Sequence, residues 1–171
     1  MAVRYFDDVS VGERIGQIDK GVITTAHIMR WSAAVENFHR IHYDQPFATG
    51  HEKLPGVLVN GSWKQHILVQ MIKDALGSSG WLWKMRFRYR KMDVAGAAVL
   101  GTVDVIGKQE VAGFGFVTLK IELFDQSIRD TNPQMILIGD TERLFLQRRD
   151  QKTMVRRPCL FTEINPIESL Q

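Results

Sequence analysis

The chain has one cysteine, Cys159, in 171 residues. A single thiol cannot close an internal disulfide or build a thiolate metal cage, so a reducing cytoplasm is the expected compartment. No apolar run approaches the roughly 20 residues of a transmembrane helix. The first ten residues carry Arg4, Asp7 and Asp8 and have no apolar core, unlike a signal peptide. Internal repeats and low-complexity stretches are absent. So are the G-x-G-x-x-G turn, the P-loop, the G-x-S-x-G elbow and histidines at H-E-x-x-H spacing. Each would have pointed to a nucleotide, a serine nucleophile or a metal, and no metal is expected.

What is present suits one soluble α+β domain. Hydrophobic residues make up 44% of the chain and charged residues 24%, as in ordinary globular proteins. A chain of this length buries roughly 70% of its unfolded surface and needs no disulfide or metal staple. The net charge of +3 is unevenly spread. Residues 84–91 hold five bases (Lys84, Arg86, Arg88, Arg90, Lys91) and no acid. Residues 143–157 hold six bases against one acid, Asp150. The remainder is net acidic. That pattern argues against general nucleic-acid binding and allows a local site for a phosphorylated ligand.

Periodicity divides the chain into helices followed by strands. After a short strand over 13–23, Thr24 and Thr25 offer N-caps to an amphipathic helix over 26–35, with Ile28, Trp31 and Val35 on one face. Residues 36–47 break that period and read as a loop leading into a short helix. Pro55-Gly56 marks a turn, Val57-Leu58-Val59 an apolar run, and Asn60-Gly61-Ser62 a sharp turn with Ser62 as the expected N-cap. Residues 63–76 form the most apolar helix, stopped by Gly77. From Gly80 onward the period is two. Trp81, Trp83, Met85, Phe87 and Tyr89 alternate with Lys84, Arg86, Arg88 and Arg90, and further strands fall over 97–106, 117–123 and 134–147. Runs of helix followed by runs of strand indicate an antiparallel sheet against a buried helix. One domain over 1–149 is expected, followed by an arm over 150–171.

Three places carry candidate chemistry. Glu36-Asn37-Phe38-His39-Arg40-Ile41-His42-Tyr43-Asp44 is dense in polar groups between a helix and a turn. His42 suits acid/base work because imidazole titrates near neutral pH, and the Asn37 amide can orient a water or carbonyl but cannot take a proton. The plain alternative is that His39 and His42 cap the loop or pair with Glu36 and Asp44. At Gly56 to Ser62 a strand gives way to the buried helix, whose first N–H groups are unpaired and partly positive. Aimed at a thioester carbonyl they would stabilise an enolate oxygen, although an ordinary capped helix has the same appearance. The basic strand reads either as a solvated face or as a phosphate-attracting rim. His27 and His66 fall on helices and His51 in a loop, with no partner at catalytic spacing.

Taken together these segments resemble the MaoC-like dehydratases, the hot-dog fold family that includes R-specific enoyl-CoA hydratases. Tyr5-Phe6-Asp7-Asp8-Val9-Ser10-Val11-Gly12 is similar to the family's opening. Ile41-His42-Tyr43-Asp44 is similar to the end of its motif D-x-N-P-[IL]-H-x-D. Gly56 to Gly61 is similar to the lead into its central helix, and Arg86-Phe87-Arg88 with Gly96 to its next strand and turn. His42 then matches the motif histidine and Asp44 the closing aspartate. Asn37 stands where the family has its catalytic aspartate, His39-Arg40 where it has Asn-Pro, and Asn60 where it usually has histidine.

The resemblance implies an antiparallel sheet wrapped around a long central helix. It implies reversible hydration of a 2-enoyl-CoA, in fatty acid metabolism, with coenzyme A entering only as part of the substrate. His42, Asn37 and Gly61 are the implied catalytic residues. Asn60, Ser62, Arg86 and Arg88 are the implied substrate-binding residues. Three readings of Asn37 stay open: His42 acts alone on a water held by Asn37, Glu36 supplies the carboxylate, or the chain is a subunit of reduced activity. Thioester hydrolysis and non-catalytic acyl-CoA binding remain alternatives. A homodimer or higher oligomer is expected, a hetero-oligomer is a further option, and neither nucleic acid nor membrane is an expected partner.

Overall fold

The helix α2 (Gly61–Leu76) occupies the centre of the molecule. In the computed structural model, residues 4–126 are described with their side chains and residues 134–146 as strand backbone. The expected arm over 150–171, Cys159 and the basic side chains of 143–157 lie outside the described residues. Ile67, Leu68, Met71, Ile72, Ala75 and Leu76 of α2 are all buried. Apolar groups at three- and four-residue intervals form one wide stripe, which must be covered. Each Leu or Ile removed from water contributes about 1.5–3 kcal/mol. Gly77, at φ 63°, ends the helix in a conformation that side chains resist.

Five antiparallel strands cover that stripe. They are β1 (Arg14–Val22), β2 (Gly80–Tyr89), β3 (Ala98–Val111), β4 (Phe114–Asp125) and β5 (Gln134–Leu146). Their order across the sheet is β1-β3-β4-β5-β2. α2 touches all five. Val99, Val103 and Val105 of β3 and Leu119, Ile121 and Leu123 of β4 complete the core. The sheet wrapped around a central helix is the hot-dog architecture. The first helix, α1 (Thr25–Ala34), starts where Thr24 accepts the His27 N–H and His27 Nδ1 accepts the Thr24 N–H at 3.1 Å. That reciprocal pair satisfies two otherwise orphaned donors.

The structure departs from the sequence expectations in four details. α2 begins one residue before Ser62, so Asn60 and not Ser62 is the N-cap. The apolar run 57–59 forms no strand beyond a single bridge, Leu58 to Val94. β3 runs on through Gly107, with an irregular register between Val105 and Gly107, and turns only at Ala112-Gly113. In β2 the register shifts between Leu82 and Met85, and a bulge of this kind reverses which face a side chain meets. Leu82, Met85 and Phe87 therefore pack on the core, whereas Trp81 and Trp83 face outward.

Candidate active site

Between α1 and α2 the chain has little regular structure, and hydrogen bonds to the segment 57–59 hold it. Leu58 donates its N–H to the Ile41 carbonyl at 2.9 Å. On the other side the Val59 N–H reaches the Asp93 carbonyl and the Ala95 N–H reaches the Val57 carbonyl, at 2.8 and 2.9 Å. The loop carrying His42 and the turn around Asp93 are thus fixed to the residues that lead into α2.

His42 closes a 3₁₀ turn, Arg40–His42, and is buried. Its Nδ1 lies 2.8 Å from the Leu58 carbonyl oxygen. A carbonyl can only accept, so Nδ1 carries the proton. The neutral ring then presents its lone pair on Nε2, the arrangement a general base requires. Asp44 holds this turn in shape. One carboxylate oxygen accepts the Phe47 N–H at 3.0 Å and the other accepts Nε and Nη2 of Arg40, at 3.0 and 2.7 Å. The Phe47 N–H, and after it the Arg40 guanidinium, hold the Asp44 carboxyl below its ordinary range. Arg40 also stacks over the Phe47 ring at 4.2 Å.

Asn37 follows the end of α1, where Glu36 takes a left-handed conformation at φ 53° and turns the chain. The Asn37 side-chain oxygen accepts the His39 N–H at 3.4 Å. No hydrogen bond joins Asn37 to His42 among the described residues. The Glu36 side chain is exposed. The Asn60 side chain is fully buried and donates to Ser32 Oγ of α1 at 3.1 Å. It makes no cap bond to its own helix. Among the described residues nothing accepts the N–H groups of Gly61 and Ser62. Ser62 Oγ is exposed and accepts the Trp31 indole N–H at 2.9 Å.

A cleft of about 420 Å³ opens at this helix start, lined among others by Leu58, Gly61, Lys64, Tyr89, Arg90 and Lys91. Arg86 and Arg88 lie earlier on β2 and do not line it, so Arg90 and Lys91, with the buried Lys64, are the cations beside the helix start. Lys64 is buried. Its ammonium bonds Asp93 Oδ2 at 2.8 Å and the Lys91 carbonyl at 3.2 Å. The second Asp93 oxygen is buried without a partner. Burial pushes the Asp93 carboxyl above its ordinary value, against the pull of Lys64. A second hollow of about 340 Å³ lies between β1 and the far half of α2. Neither His42 nor Asn37 lines either hollow. No group of three or more metal-ligating side chains occurs among the described residues, and no helix there is long and apolar enough to cross a membrane.

Sequence reasoning passed over Lys64, Asp93, Tyr89 and Ser32. Only Lys64 carried a signal. It falls on the stripe of Ile67, Leu68 and Met71, and a charge inside an apolar stripe implies a buried counter-charge.

Comparison with known proteins agrees with this fold. The family model for hydroxyacyl-thioester dehydratase type 2 matches residues 13–97, about half of the chain. The chain thus carries the pattern of the hydroxyacyl-thioester dehydratases over those residues and the hot-dog fold of the MaoC-like dehydratases. A 46-residue stretch is 39% identical to the mesaconyl-C(4)-CoA hydratase of Chloroflexus aurantiacus, over 27% of this chain and 16% of that protein. The match thus takes in a minor part of that relative's length. The unliganded R-hydratase PhaJ1 of Pseudomonas aeruginosa superposes with a TM-score of 0.72 at 12% identity, over 84% of this chain and 86% of its own. The ChsH1-ChsH2 complex of Mycobacterium tuberculosis gives 0.68 at 14% identity, over 82% and 99%. At such identities the superpositions speak for the fold.

Proposed function

We propose that the chain hydrates a 2-enoyl-CoA reversibly to a 3-hydroxyacyl-CoA. The carrying observation is the His42 ring, whose Nδ1–H is fixed to Leu58 and whose Nε2 is thereby a base, on residues that lead directly into the open start of α2. In the hydration direction, Nε2 takes a proton from water as the water oxygen bonds C3. The C2=C3 electron pair moves towards the thioester and its oxygen becomes an enolate. The Gly61 N–H, at the positive end of α2, stabilises that oxygen. The imidazolium then returns its proton to C2. Asn37 positions the water through its amide, so His42 alone handles the proton.

Arg90 and Lys91, with Arg86 and Arg88 farther along β2, attract the coenzyme phosphates. No cofactor is needed beyond the coenzyme A of the substrate. Among the described residues β1 and β2 are the open edges of the sheet, and β2 presents Trp81 and Trp83 outward. We infer a homodimer that covers such an edge.

The test is product analysis with crotonyl-CoA and the purified chain. Loss of the conjugated-alkene absorbance without free thiol is the expected result, reduced by on the order of 10²–10⁴-fold in His42→Gln. Free coenzyme A would identify a thioesterase instead. Binding without turnover would identify a non-catalytic subunit, the reading that Asn37 in place of aspartate favours.

A further inference from the structure

Tyr89, the last residue of β2, stands over the first residue of α2. Its ring packs edge-on against Phe87 at 5.9 Å and 71°, and Phe87 in turn packs on the core. The Tyr89 hydroxyl lies 2.9 Å from where a Gly61 Cβ would be, and its Cζ 3.1 Å. The hydroxyl therefore occupies the space directly beside the Gly61 backbone. Gln65, one turn into α2, donates a side-chain N–H to the same oxygen.

This arrangement decides the polarity of the hydroxyl. A phenol has one proton to donate and lone pairs to accept with. The Gln65 amide takes up a lone pair. Among the described residues nothing accepts the proton, so the free function of the group is donation. Tyr89 also lines the cleft shared by Gly61, Arg90 and Lys91. An acyl carbonyl that reaches the Gly61 N–H enters the range of the Tyr89 proton.

We propose that the Tyr89 hydroxyl is a second hydrogen-bond donor to the acyl carbonyl, acting beside the Gly61 N–H, and that Gln65 is the positioning residue that aims it. The proposal rests on the hydration reading above. It assigns Tyr89 a contribution to the transition state, because the carbonyl oxygen gains charge only as the enolate forms.

The experiment compares wild type, Tyr89→Phe and Gln65→Leu in two measurements. One is steady-state hydration of crotonyl-CoA. The other is the absorption of bound cinnamoyl-CoA, whose conjugated band moves to the red as its carbonyl is polarised. Tyr89→Phe is expected to lower kcat on the order of 10²-fold with KM changing little. Its red shift should shrink while cinnamoyl-CoA still binds. Gln65→Leu should move both readouts in the same direction by less, since the hydroxyl remains but is no longer aimed. Wild-type kcat and full red shift in Tyr89→Phe overturn the proposal. So does a lower kcat with the red shift intact, which would mark a merely structural role. If the wild type neither hydrates crotonyl-CoA nor shifts cinnamoyl-CoA, the hydration reading falls and this proposal with it. A wild type active in both with an unaffected Tyr89→Phe removes the Tyr89 role alone.

Discussion

The two ends of α2 are built on opposite plans. At the carboxyl end Met71, Ile72 and Leu76 sink into an apolar core, and two of the last carbonyls find donors. The Gly77 N–H reaches Lys73, and Ser79 Oγ donates to the Leu76 carbonyl at 2.9 Å. At the amino end four polar side chains are buried: Ser32, Asn60, Lys64 and Asp93. They bond one another and leave the first helical N–H groups open. Asparagine at an N-cap ordinarily accepts a bond from its own helix; here it is turned to α1 instead. The carboxyl end is arranged for stability. The amino end buries charge, for which well-packed apolar residues would serve stability as well or better.

The largest expected effect comes from breaking the buried ion pair. Lys64→Met leaves the Asp93 carboxylate unpaired in the interior and should cost about 3–5 kcal/mol in denaturant unfolding. Adding Asp93→Leu should recover most of that loss. Ile72→Ala, at the other end of the same helix, should cost about 2–5 kcal/mol, because it opens a cavity. Among the described residues Ile72 has no polar partner whose removal would compensate. If the double variant stayed as unstable as Lys64→Met, the contrast between the two ends would fail.

Much of the carboxyl end was legible in the sequence and little of the amino end was. Ile67, Leu68, Met71, Ile72 and Leu76 follow a local period that predicts helix and burial together. Gly77 is a local stop signal. By contrast, Asn60 and Ser32 meet across 28 positions, and Lys64 and Asp93 across 29. Nothing in the neighbourhood of either residue announces the other. The Tyr89 hydroxyl reaches Gly61 only because the sheet curls around the helix. The outward placement of Trp81 and Trp83 was hidden for a related reason. Strict alternation places them with Met85 and Phe87, and only the register shift between them reverses the phase. The His42 motif was legible, but the tautomer set by the Leu58 carbonyl depends on contact across 16 positions.

A smaller effect sharpens the role of the Asn60 clamp. Asn60→Ala leaves the buried Ser32 hydroxyl without its partner and should cost about 1–3 kcal/mol. Ser32→Ala should cost a comparable amount, because it orphans the Asn60 amide. The two together should cost less than their sum, since the second change removes the group the first left unpaired. Additive losses in that double-mutant cycle would mean the pair does not act as a unit.

The least expected effect is on the pH dependence of stability, and it also separates the two ends. The folded Asp93 carboxyl binds its proton more tightly than the ordinary value of 3.8. Between 3.8 and that raised value the folded state therefore holds more protons than the unfolded one, so rising pH lowers stability across this window. Lys64 and Lys91 pull against the shift and Asp125 adds to it. Asp44 and Asp104 are displaced the other way, by the Phe47 N–H with Arg40 and by Arg14. Their contribution is present above 3.8 and is lost only as pH falls below it. Asp93→Asn should therefore flatten the descending slope above 3.8 and leave the acid-side loss unchanged, measured by unfolding free energy from about pH 2 to about pH 7. Ile72→Ala should shift the whole curve down without altering either slope. An unchanged upper slope in Asp93→Asn would show that the amino end of α2 carries no titratable strain and would remove the contrast at its source.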